Sequence, residues 1–424
     1  MKTAALALLT CLLAAPSAQR DDPGPPSSRE QKALLESLLS LDVHKRKDRQ
    51  EMASLLEPYA AVPAPEGSKR KRLLKDITKR WSKQRLLPEK KGEYWYWEED
   101  HKGRFFLAGE LRKPKGLFIG LHGGGVGSAN AAGAHGSYAS QAGARDWLAI
   151  FPQAIAATER GWTDTGTEEW IMDLIDQARR TFDIPPERVY IGGHSMGGYG
   201  SWVLGAHHAD LFAAAVPSAG APTPIYNSDG SIYAIQKGVV PNLRNLPMCV
   251  FQSTDDPRVP PDVNQAAVRD VEKAKAEWGG YEHFDYWEVE DRGHSFPVGG
   301  TDALLERIQD HERDAHPTKI VWQPSLSWKT TFYWLDWPEP RIDAIVVAEL
   351  DRDANSIAVT SDGSSVKGLG ILLSSAVVDL EKEVVVTLDG EEVFRGVPKT
   401  SWAVFCRTAL TCDPGRLYDA RIDL

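Results

Sequence analysis

Near its middle the chain reads Val189-Tyr190-Ile191-Gly192-Gly193-His194-Ser195-Met196-Gly197-Gly198-Tyr199-Gly200. The first residues are apolar, as in a buried strand, and a helix-like segment continues from Ser201. Between them lies Gly-x-Ser-x-Gly, in the strand-turn-helix setting of a nucleophile elbow. Such a turn strains the backbone of the serine and presents its hydroxyl. We predict that Ser195 is a nucleophile and that the Met196 amide faces a developing oxyanion. The alternative is a glycine-rich turn that happens to contain a serine.

A second glycine-rich segment strengthens the catalytic interpretation. The apolar strand 117–121 is followed by His122-Gly123-Gly124-Gly125-Val126-Gly127. Glycine-rich loops after strands also bind phosphate. This loop, however, lacks the Lys-Ser/Thr of a P-loop and does not open a helix with Gly-x-Gly-x-x-Gly. We therefore predict that it brings a backbone N–H, that of Gly124, to the reacting carbonyl oxygen, completing an oxyanion hole with Met196.

Strand-like and helix-like segments alternate around these motifs. The predicted strands, besides the elbow strand, are 93–98, 104–111, 117–121, 147–152, 211–216, 248–251 and 283–289. The predicted helices are 138–142, 168–182, 261–278 and 303–311. This order indicates βαβ units and a mainly parallel sheet flanked by helices, the α/β class. Residues 222–245 break the pattern, either as a lid or substrate-lining insertion or as an ordinary surface loop.

A serine nucleophile needs a base, and the base needs an acid that orients it. In this fold class the chain order is Ser, Asp or Glu, then His, each on a loop after a strand. His294 lies in a short loop directly after a strand. The other downstream histidines, His283, His311 and His316, fall in a strand, a helix and a linker. His294 is therefore the predicted base.

The acid is predicted in the loop after strand 248–251, as Asp255 or Asp256. The spacing Asp-x-x-Val-Pro favours Asp256, which leaves Asp255 as a turn former. His194 is predicted to be structural. Three further residues are candidate substrate contacts, with an ordinary turn as the simpler explanation for the last two: His122, Trp162 and Asp164.

The N-terminal part has the features of an exported protein. Residues 1–18 are predicted to be a secretory signal, with Lys2, an apolar run and a small-residue cleavage site. The apolar run is too short to span a bilayer, and no transmembrane anchor is predicted. Residues 19–90 are predicted to form a charged helical extension, whose first helix opens with a capping box at Ser28-Arg29-Glu30-Gln31. A second helical stretch, 68–86, is strongly basic, which indicates either an anion-binding face or, as we favour here, a solvated surface.

The remaining chain divides in two. Residues 91–316 are the predicted catalytic domain, and residues 317–424 a small β-sandwich-like domain with an accessory or structural role. Its predicted strands, separated by turns such as Asp362-Gly363 and Asp389-Gly390, are 345–348, 356–360, 369–373, 384–388 and 393–394.

Net charge and cysteine spacing bear on which ligands the chain can bind. The 424 residues carry a net charge of −10, which argues against nucleic-acid binding by the chain as a whole. Cys249 is predicted to be a buried free thiol, whereas Cys406 and Cys412 either pair or stay free. No Cys/His spacing of a structural zinc site is present.

Residues 115–313 resemble α/β-hydrolase esterases of the polyhydroxybutyrate depolymerase, feruloyl esterase and acetylxylan esterase type. They are also similar to the catalytic domain of prolyl oligopeptidases. The resemblance depends on these segments: Leu121 to Gly125, Gly193 to Gly200, Asp256 to Pro260, and Gly293-His294. It implies a Ser195, Asp256 and His294 triad with Gly124 and Met196 as oxyanion hole. The His-Gly usual before the acid loop is Gln252-Ser253 here.

The predicted function is hydrolysis of carboxylic esters, polymer- or carbohydrate-linked ones included, by an exported serine hydrolase. The reaction requires neither metal nor cofactor. A serine peptidase of prolyl oligopeptidase type is the first alternative, although no β-propeller is visible in the sequence. A non-catalytic binding protein with the same fold is the second. The sequence does not predict an oligomeric state.

Overall fold

The computed structural model describes residues 24–85, 87–164 and 166–424; the predicted secretory signal lies outside them. Helices occur in the N-terminal part, between the strands of the central sheet and near the C-terminus. They are α1 (Ser28–Leu38), α2 (Arg46–Leu56), α3 (Gly67–Trp81), α4 (Ala131–Ala144), α5 (Thr167–Thr181), α6 (Met196–His207), α7 (Asp262–Trp278), α8 (Gly300–Glu306) and α9 (Trp402–Ala409).

The strands begin after α3 and continue to the C-terminus. They are β1 (Gly92–Trp97), β2 (Lys102–Gly109), β3 (Gly116–Leu121), β4 (Gly124–Gly125), β5 (Ser128–Ala129), β6 (Trp147–Pro152), β7 (Val189–His194), β8 (Ala214–Ser218), β9 (Pro224–Tyr226), β10 (Ile232–Ile235), β11 (Met248–Ser253), β12 (Phe284–Val289), β13 (Lys319–Trp322), β14 (Thr331–Phe332), β15 (Leu335–Asp336), β16 (Val346–Asp351), β17 (Ser356–Ser361), β18 (Gly370–Leu373), β19 (Val384–Leu388), β20 (Glu391–Gly396) and β21 (Ala420–Asp423).

The central sheet has eight strands in the order β1-β2-β6-β3-β7-β8-β11-β12. The pairs β1/β2 and β2/β6 are antiparallel, and every other neighbouring pair is parallel. Only β2 therefore runs against the rest. This is the mainly parallel sheet of an α/β-hydrolase, as predicted. Because the strands are parallel, β3, β7, β11 and β12 all end at one edge, which we call the carboxyl edge.

Two apolar cores cover the faces of the sheet. Successive side chains of a strand point to opposite faces, so Leu117 and Ile119 of β3 join one core and Phe118 the other. Helices α5, α6 and α7 pack on the first face and helices α4 and α8 on the second. All six residues of β3, and of β6, are buried. Because both faces of the sheet are covered, these two strands are apolar throughout and do not alternate between apolar and polar residues.

Some predicted boundaries differ from the structure. The capping box of α1 uses Ser27, whose hydroxyl accepts from the Glu30 amide while the Glu30 carboxylate accepts from the Ser27 amide. The prediction placed it one residue later, at Ser28, because adjacent serines give the same pattern. The strand predicted at 211–216 begins at Ala214, and residues 222–245 contain the hairpin of β9 and β10.

The C-terminal region contains two sheets, as predicted, with the orders β13-β16-β17-β19-β20 and β14-β15-β18-β21. The prediction of an all-β region was wrong in one respect, because α9 interrupts it. Ser401 caps α9 by accepting from the Val404 amide. The buried apolar residues of α9 recur with helical spacing: Trp402, Phe405, Cys406 and Ala409.

The N-terminal helices and α9 share a third apolar core. Leu35, Leu73 and Ile77 are fully or almost fully buried in it beside Trp402 and Phe405. The segments are separated by more than 300 residues in sequence, so the extension is tied to the C-terminal region instead of standing apart. Cys249, Cys406 and Cys412 are free, and Cys249 is buried as predicted.

A buried ion pair joins residues 91–316 to the C-terminal region. Arg313 donates to both carboxylate oxygens of Asp413, at 3.0 and 2.9 Å, and to the Asp210 carbonyl oxygen at 2.9 Å. The side chain of Arg313 is 3% exposed and that of Asp413 is fully buried. Burial alone would raise the pKa of Asp413, but Arg313, Arg179 and Arg416 hold this pKa below its usual value.

We expect Asp413→Asn to lower the free energy of unfolding by about 3 kcal/mol, because the Arg313 charge is left buried without its partner. The folded-state pKa of Asp413 is depressed, so the pair stabilises the fold above the unfolded-state pKa of about 4 and loses its effect as the pH falls through the folded-state pKa. Chemical denaturation at neutral and acidic pH measures the difference. The exposed residue Asp353 supplies the control, Asp353→Asn. Equal stability of the two variants at pH 7 would contradict the expectation.

Candidate active site

The elbow is built where β7 meets α6. Ser195 has φ +61° and ψ −122°, a conformation rare for a residue with a side chain. Its amide donates to the Ser218 carbonyl oxygen at 2.9 Å. The backbone is so crowded that a Cβ atom on Gly193 would lie 2.5 Å from the Leu121 carbonyl oxygen, and one on Gly197 would lie 2.2 Å from it. The two glycines thus allow β3, β7 and α6 to approach closely enough to form the turn.

Three predicted residues meet at the carboxyl edge. The Ser195 hydroxyl lies 2.9 Å from Nε2 of His294, and Nδ1 of His294 lies 2.8 Å from Oδ2 of Asp256. An ionised carboxylate only accepts hydrogen bonds, so Nδ1 carries the imidazole proton and Nε2 is left to accept from Ser195. This is the order of contacts that activates a serine hydroxyl.

Asp256 is fixed by its own loop. Its side chain is fully buried, and Oδ1 accepts from the amides of Arg258 and Val259 at 2.8 and 3.0 Å. Oδ2 therefore remains for His294. Asp255 makes different contacts: Oδ1 accepts from the amides of Arg292 and Gly293 at 3.2 and 3.0 Å. The neighbouring aspartate thus shapes the loop that carries the histidine.

His194 contacts the Ser218 hydroxyl, whereas the described contact of the Ser195 hydroxyl is with His294. Burial lowers the pKa of His194 to about 4, with a smaller contribution from His294. Its ring lies against Phe296, with 4.5 Å between centroids, and its Nδ1 is 3.2 Å from the Ser218 hydroxyl. The ring is therefore neutral at pH 7 and packs behind the His294 loop.

Ser218, at the end of β8, is a positioning residue that the sequence prediction missed. Its carbonyl oxygen accepts from the Ser195 amide and its hydroxyl contacts His194. It is fully buried. The only sequence signal is its position at the end of a strand next to the elbow strand, which many small residues share.

The glycine loop lies against the elbow. A Cβ atom on Gly123 would be 3.3 Å from that of Ser195, and one on Gly124 would be 3.7 Å from the methyl group of Met196. Met196 is the first residue of α6, where backbone amides have no partner within the helix. The loop and the helix start are thus adjacent to Ser195, and the donation by Gly124 and Met196 to an oxyanion remains a prediction.

Two of the predicted substrate contacts, Trp162 and His122, are buried in the structure. Trp162 is fully buried; its indole N–H donates to the His122 carbonyl oxygen at 3.3 Å, and its ring packs 4.6 Å from that of His122. His122 is 1% exposed, and its Nε2 accepts from the Ala154 amide at 3.0 Å. Burial lowers the pKa of His122 to about 4, so it is neutral. Both side chains pack within the protein next to the glycine loop and are shielded from solvent.

Asp164 has a partner in its own loop. Its Oδ2 accepts from the Thr158 hydroxyl at 2.6 Å, and the neighbouring Thr163 hydroxyl lies 2.9 Å from that of Tyr199, one turn after Ser195. The loop therefore reaches the first turn of α6. Contact between Asp164 and substrate stays a prediction, and the observed hydrogen bond is that of a turn.

We expect Gly197→Ala to abolish most ester turnover, because the added methyl group meets the Leu121 and His122 backbone and forces β3 away from the elbow. Overpacking of this kind costs about 1–3 kcal/mol of stability. The control is Gly136→Ala, since nothing lies within 4 Å of the added methyl group in α4. Rates on an aryl ester and melting temperatures are the measurements. A Gly197→Ala enzyme with wild-type turnover would show that the close approach is unnecessary.

The part of the chain that the structure describes contains no helix long and apolar enough to cross a membrane. Within the same residues, no group of three or more His, Cys, Asp or Glu side chains is arranged to bind a metal ion.

Comparisons with known proteins give limited similarity. No protein-family model matches the chain. The bifunctional acetylxylan esterase/xylanase XynS20E of Neocallimastix patriciarum is 27% identical over 154 residues, which are 32% of this chain and 22% of that protein. The chain thus matches less than a quarter of that relative's length.

Solved structures similar to this chain include proteins of the three esterase types that the sequence resemblance named. Acetyl xylan esterase from Aspergillus awamori is 13% identical, covering 49% of this chain and 93% of its own, with a TM-score of 0.38. The CE1 ferulic acid esterase from Anaeromyces mucronatus is 16% identical over 52% and 89%, with a TM-score of 0.37. The poly(3-hydroxybutyrate) depolymerase LpqC from Bordetella parapertussis is 16% identical over 56% and 96%, with a TM-score of 0.41. Scores this low carry no argument about activity, so we infer the function from the site.

Proposed function

We propose that this protein hydrolyses carboxylic esters through a covalent acyl-enzyme on Ser195. The observation that supports the proposal is the unbroken chain of hydrogen bonds from Ser195 through His294 to Asp256, at 2.9 and 2.8 Å, on a strained elbow. A nucleophile, a base and an orienting acid in this geometry suit acyl transfer.

In the proposed first step, the Ser195 oxygen attacks the ester carbonyl carbon while its proton moves to Nε2 of His294. The carbonyl oxygen becomes an oxyanion, which accepts from the amides of Gly124 and Met196. Asp256 stabilises the imidazolium through Nδ1. The carbon–oxygen bond to the alcohol then breaks, and the alcohol leaves with the proton from His294.

The second step reverses these roles with water. His294 takes a proton from a water molecule, whose oxygen attacks the acyl carbon to form a second tetrahedral intermediate. The bond between the acyl carbon and the Ser195 oxygen then breaks, and His294 returns the proton to that oxygen. The products are a carboxylic acid and the free serine. No electron transfer occurs, and all protons are moved by His294.

An ester substrate is favoured over a peptide by the named activity of the one sequence relative described above, an acetylxylan esterase. Polymer- or carbohydrate-linked esters remain part of the proposal. Export, to the extracellular space or the periplasm, is proposed from the sequence pattern of residues 1–18.

The test is a pair of substrates given to the purified protein, a short aryl acetate and a proline anilide peptide. We expect turnover of the ester and none of the anilide. Turnover of the anilide alone would replace the esterase with a peptidase. Turnover of neither, with a folded protein, would favour a non-catalytic binding role.

A further inference from the structure

The basic stretch 69–91 differs in charge from the rest of the molecule. It contains eleven Lys and Arg residues and two acidic residues, a net charge of +9. Because the whole chain carries −10, the remaining residues carry −19. A cationic segment on an otherwise acidic protein creates a local positive potential that the average charge conceals.

The structure shows which of these charges are available. Helix α3 buries one side: Leu73 and Ile77 lie in the core that it shares with α9, and Trp81 is buried beside Arg179 and Arg180. Arg70, Arg80 and Arg85 form ion pairs. The eight other cations of the stretch are exposed and form no ion pair among the described residues. Two of them, Lys90 and Lys91, lie well beyond α3. The six on α3 or in the turn that follows it we call the cationic face: Lys69, Lys71, Arg72, Lys75, Lys79 and Lys83.

The arrangement of the cationic face opposes helix stability. Lys71, Lys75, Lys79 and Lys83 follow one another at spacings of four residues, where like charges repel. Lys71, Lys75 and Lys79 are ~6 Å apart along the axis of α3, and Lys83 lies in the turn that follows the helix. A row of like charges does not stabilise a solvated surface helix, whereas charges of alternating sign would. The row instead complements a chain that carries one negative charge per repeating unit.

We propose that the cationic face is a docking surface for a polyanionic polysaccharide, a sugar chain bearing carboxylate groups. This inference goes beyond the proposed ester hydrolysis and does not require it. The distance between successive lysines of the row is comparable to the length of one sugar unit.

Other polyanions fit the face less well. The apolar side of α3 is already buried, so the helix has no apolar surface to insert into a membrane. A flat anionic membrane would also meet the acidic remainder of the molecule. Trp81 is buried, and the cationic face itself contains no aromatic side chain to stack on an unpaired base.

The cationic face lies far from the proposed catalytic site. The guanidinium groups of Arg179 and Arg180, at the end of α5, lie 5.7 and 5.3 Å from the Trp81 ring. Helix α5 starts near the carboxyl edge and its 15 residues run ~22 Å towards the opposite edge. The end of α3 is therefore remote from Ser195, so a polysaccharide is anchored at a distance from the proposed reaction.

The experiment measures binding of the mature chain to polygalacturonate by affinity electrophoresis, with an uncharged glucan as the negative control. We expect binding at about 50 mM salt that is lost at about 500 mM salt. Lys71→Glu/Lys75→Glu/Lys79→Glu should weaken binding at least about tenfold. The matched control reverses three exposed lysines elsewhere and changes the net charge equally: Lys102→Glu/Lys113→Glu/Lys275→Glu. It should bind within about twofold of wild type.

Further variants keep the result interpretable. If the glutamate variant does not fold, Lys71→Gln/Lys75→Gln/Lys79→Gln removes the same charges more gently and should still bind more weakly than wild type. Ser195→Ala should bind as wild type does, and the cationic-face variants should cleave a small aryl ester at the wild-type rate. A wild-type protein that binds polygalacturonate but cleaves no ester would thus overturn the proposed function alone.

Four results would overturn the docking proposal. They are absence of polygalacturonate binding at low salt, equal binding by wild type and the cationic-face variants, equal loss in the matched control, and tighter binding of duplex DNA or of anionic lipid vesicles at the same salt concentration.

Discussion

Replacing Ser195 by alanine should lower kcat for an aryl ester by about 10⁴- to 10⁶-fold. The variant loses the atom that attacks the carbonyl carbon, and His294 alone cannot form the acyl-enzyme. Binding of the substrate does not depend on the hydroxyl, so KM should change little. The measurement is steady-state turnover of the aryl ester by both proteins at equal concentration.

The control for this variant is Ser137→Ala. The Ser137 hydroxyl bonds only to the Gly133 carbonyl oxygen within α4, among the described contacts. It should retain wild-type turnover. Circular dichroism and the melting temperature verify that both variants are folded. Ester turnover by Ser195→Ala within tenfold of wild type would remove Ser195 from the mechanism.

Replacing Asp256 by asparagine should have the second largest effect, a loss of about 10³- to 10⁴-fold in kcat. The physical reason lies in the loop. Oδ1 accepts from two amides, those of Arg258 and Val259, so the asparagine amide oxygen takes this position. Its NH₂ group then faces Nδ1 of His294. The imidazole proton must move to Nε2, where it prevents acceptance of the Ser195 proton.

Asp255→Asn is the matched control, since the same chemical change is made one residue earlier. Asp255 accepts from the Arg292 and Gly293 amides, and an asparagine oxygen preserves both bonds. We therefore expect a much smaller loss, in a kcat measurement on the same aryl ester. If Asp255→Asn were the more damaging change, Asp255 would be the acid, and the 2.8 Å contact between His294 and Asp256 would have no catalytic role.

The site was predictable because its elements are local in sequence. Each of Ser195, Asp256 and His294 follows a strand within a few residues, and parallel strands bring such ends to one edge. The choice between Asp255 and Asp256 depended on the Val-Pro spacing alone. The structure brings Asp256, and not Asp255, to His294.

Burial was not predictable from the same patterns. Trp162 and His122 flank glycine-rich loops, and a loop residue is ordinarily exposed. Both are buried because β3 and β6 bring their loops together, with His122 accepting from Ala154 just after β6. That contact joins segments 32 residues apart and leaves no periodic signal in either segment.

Packing between segments that are distant in sequence was also not predictable. Helix α9 has apolar residues at helical spacing and a serine cap, so the sequence contained a signal for it. Because the region before it was predicted to consist of strands, the helical signal was overlooked. Nothing in residues 28–81 indicates that their apolar positions face Trp402 and Phe405, because an amphipathic helix specifies a buried side without specifying its partner.

The most direct measurement of the central proposal is covalent labelling with a fluorophosphonate ester, which phosphonylates an activated serine and releases fluoride. Mass spectrometry of the digested protein locates the added group. We expect one adduct, on the peptide containing Ser195, absent from Ser195→Ala and formed far more slowly by Asp256→Asn. Labelling at another residue, or no labelling of the folded wild-type protein, would contradict the assignment of Ser195 as the nucleophile.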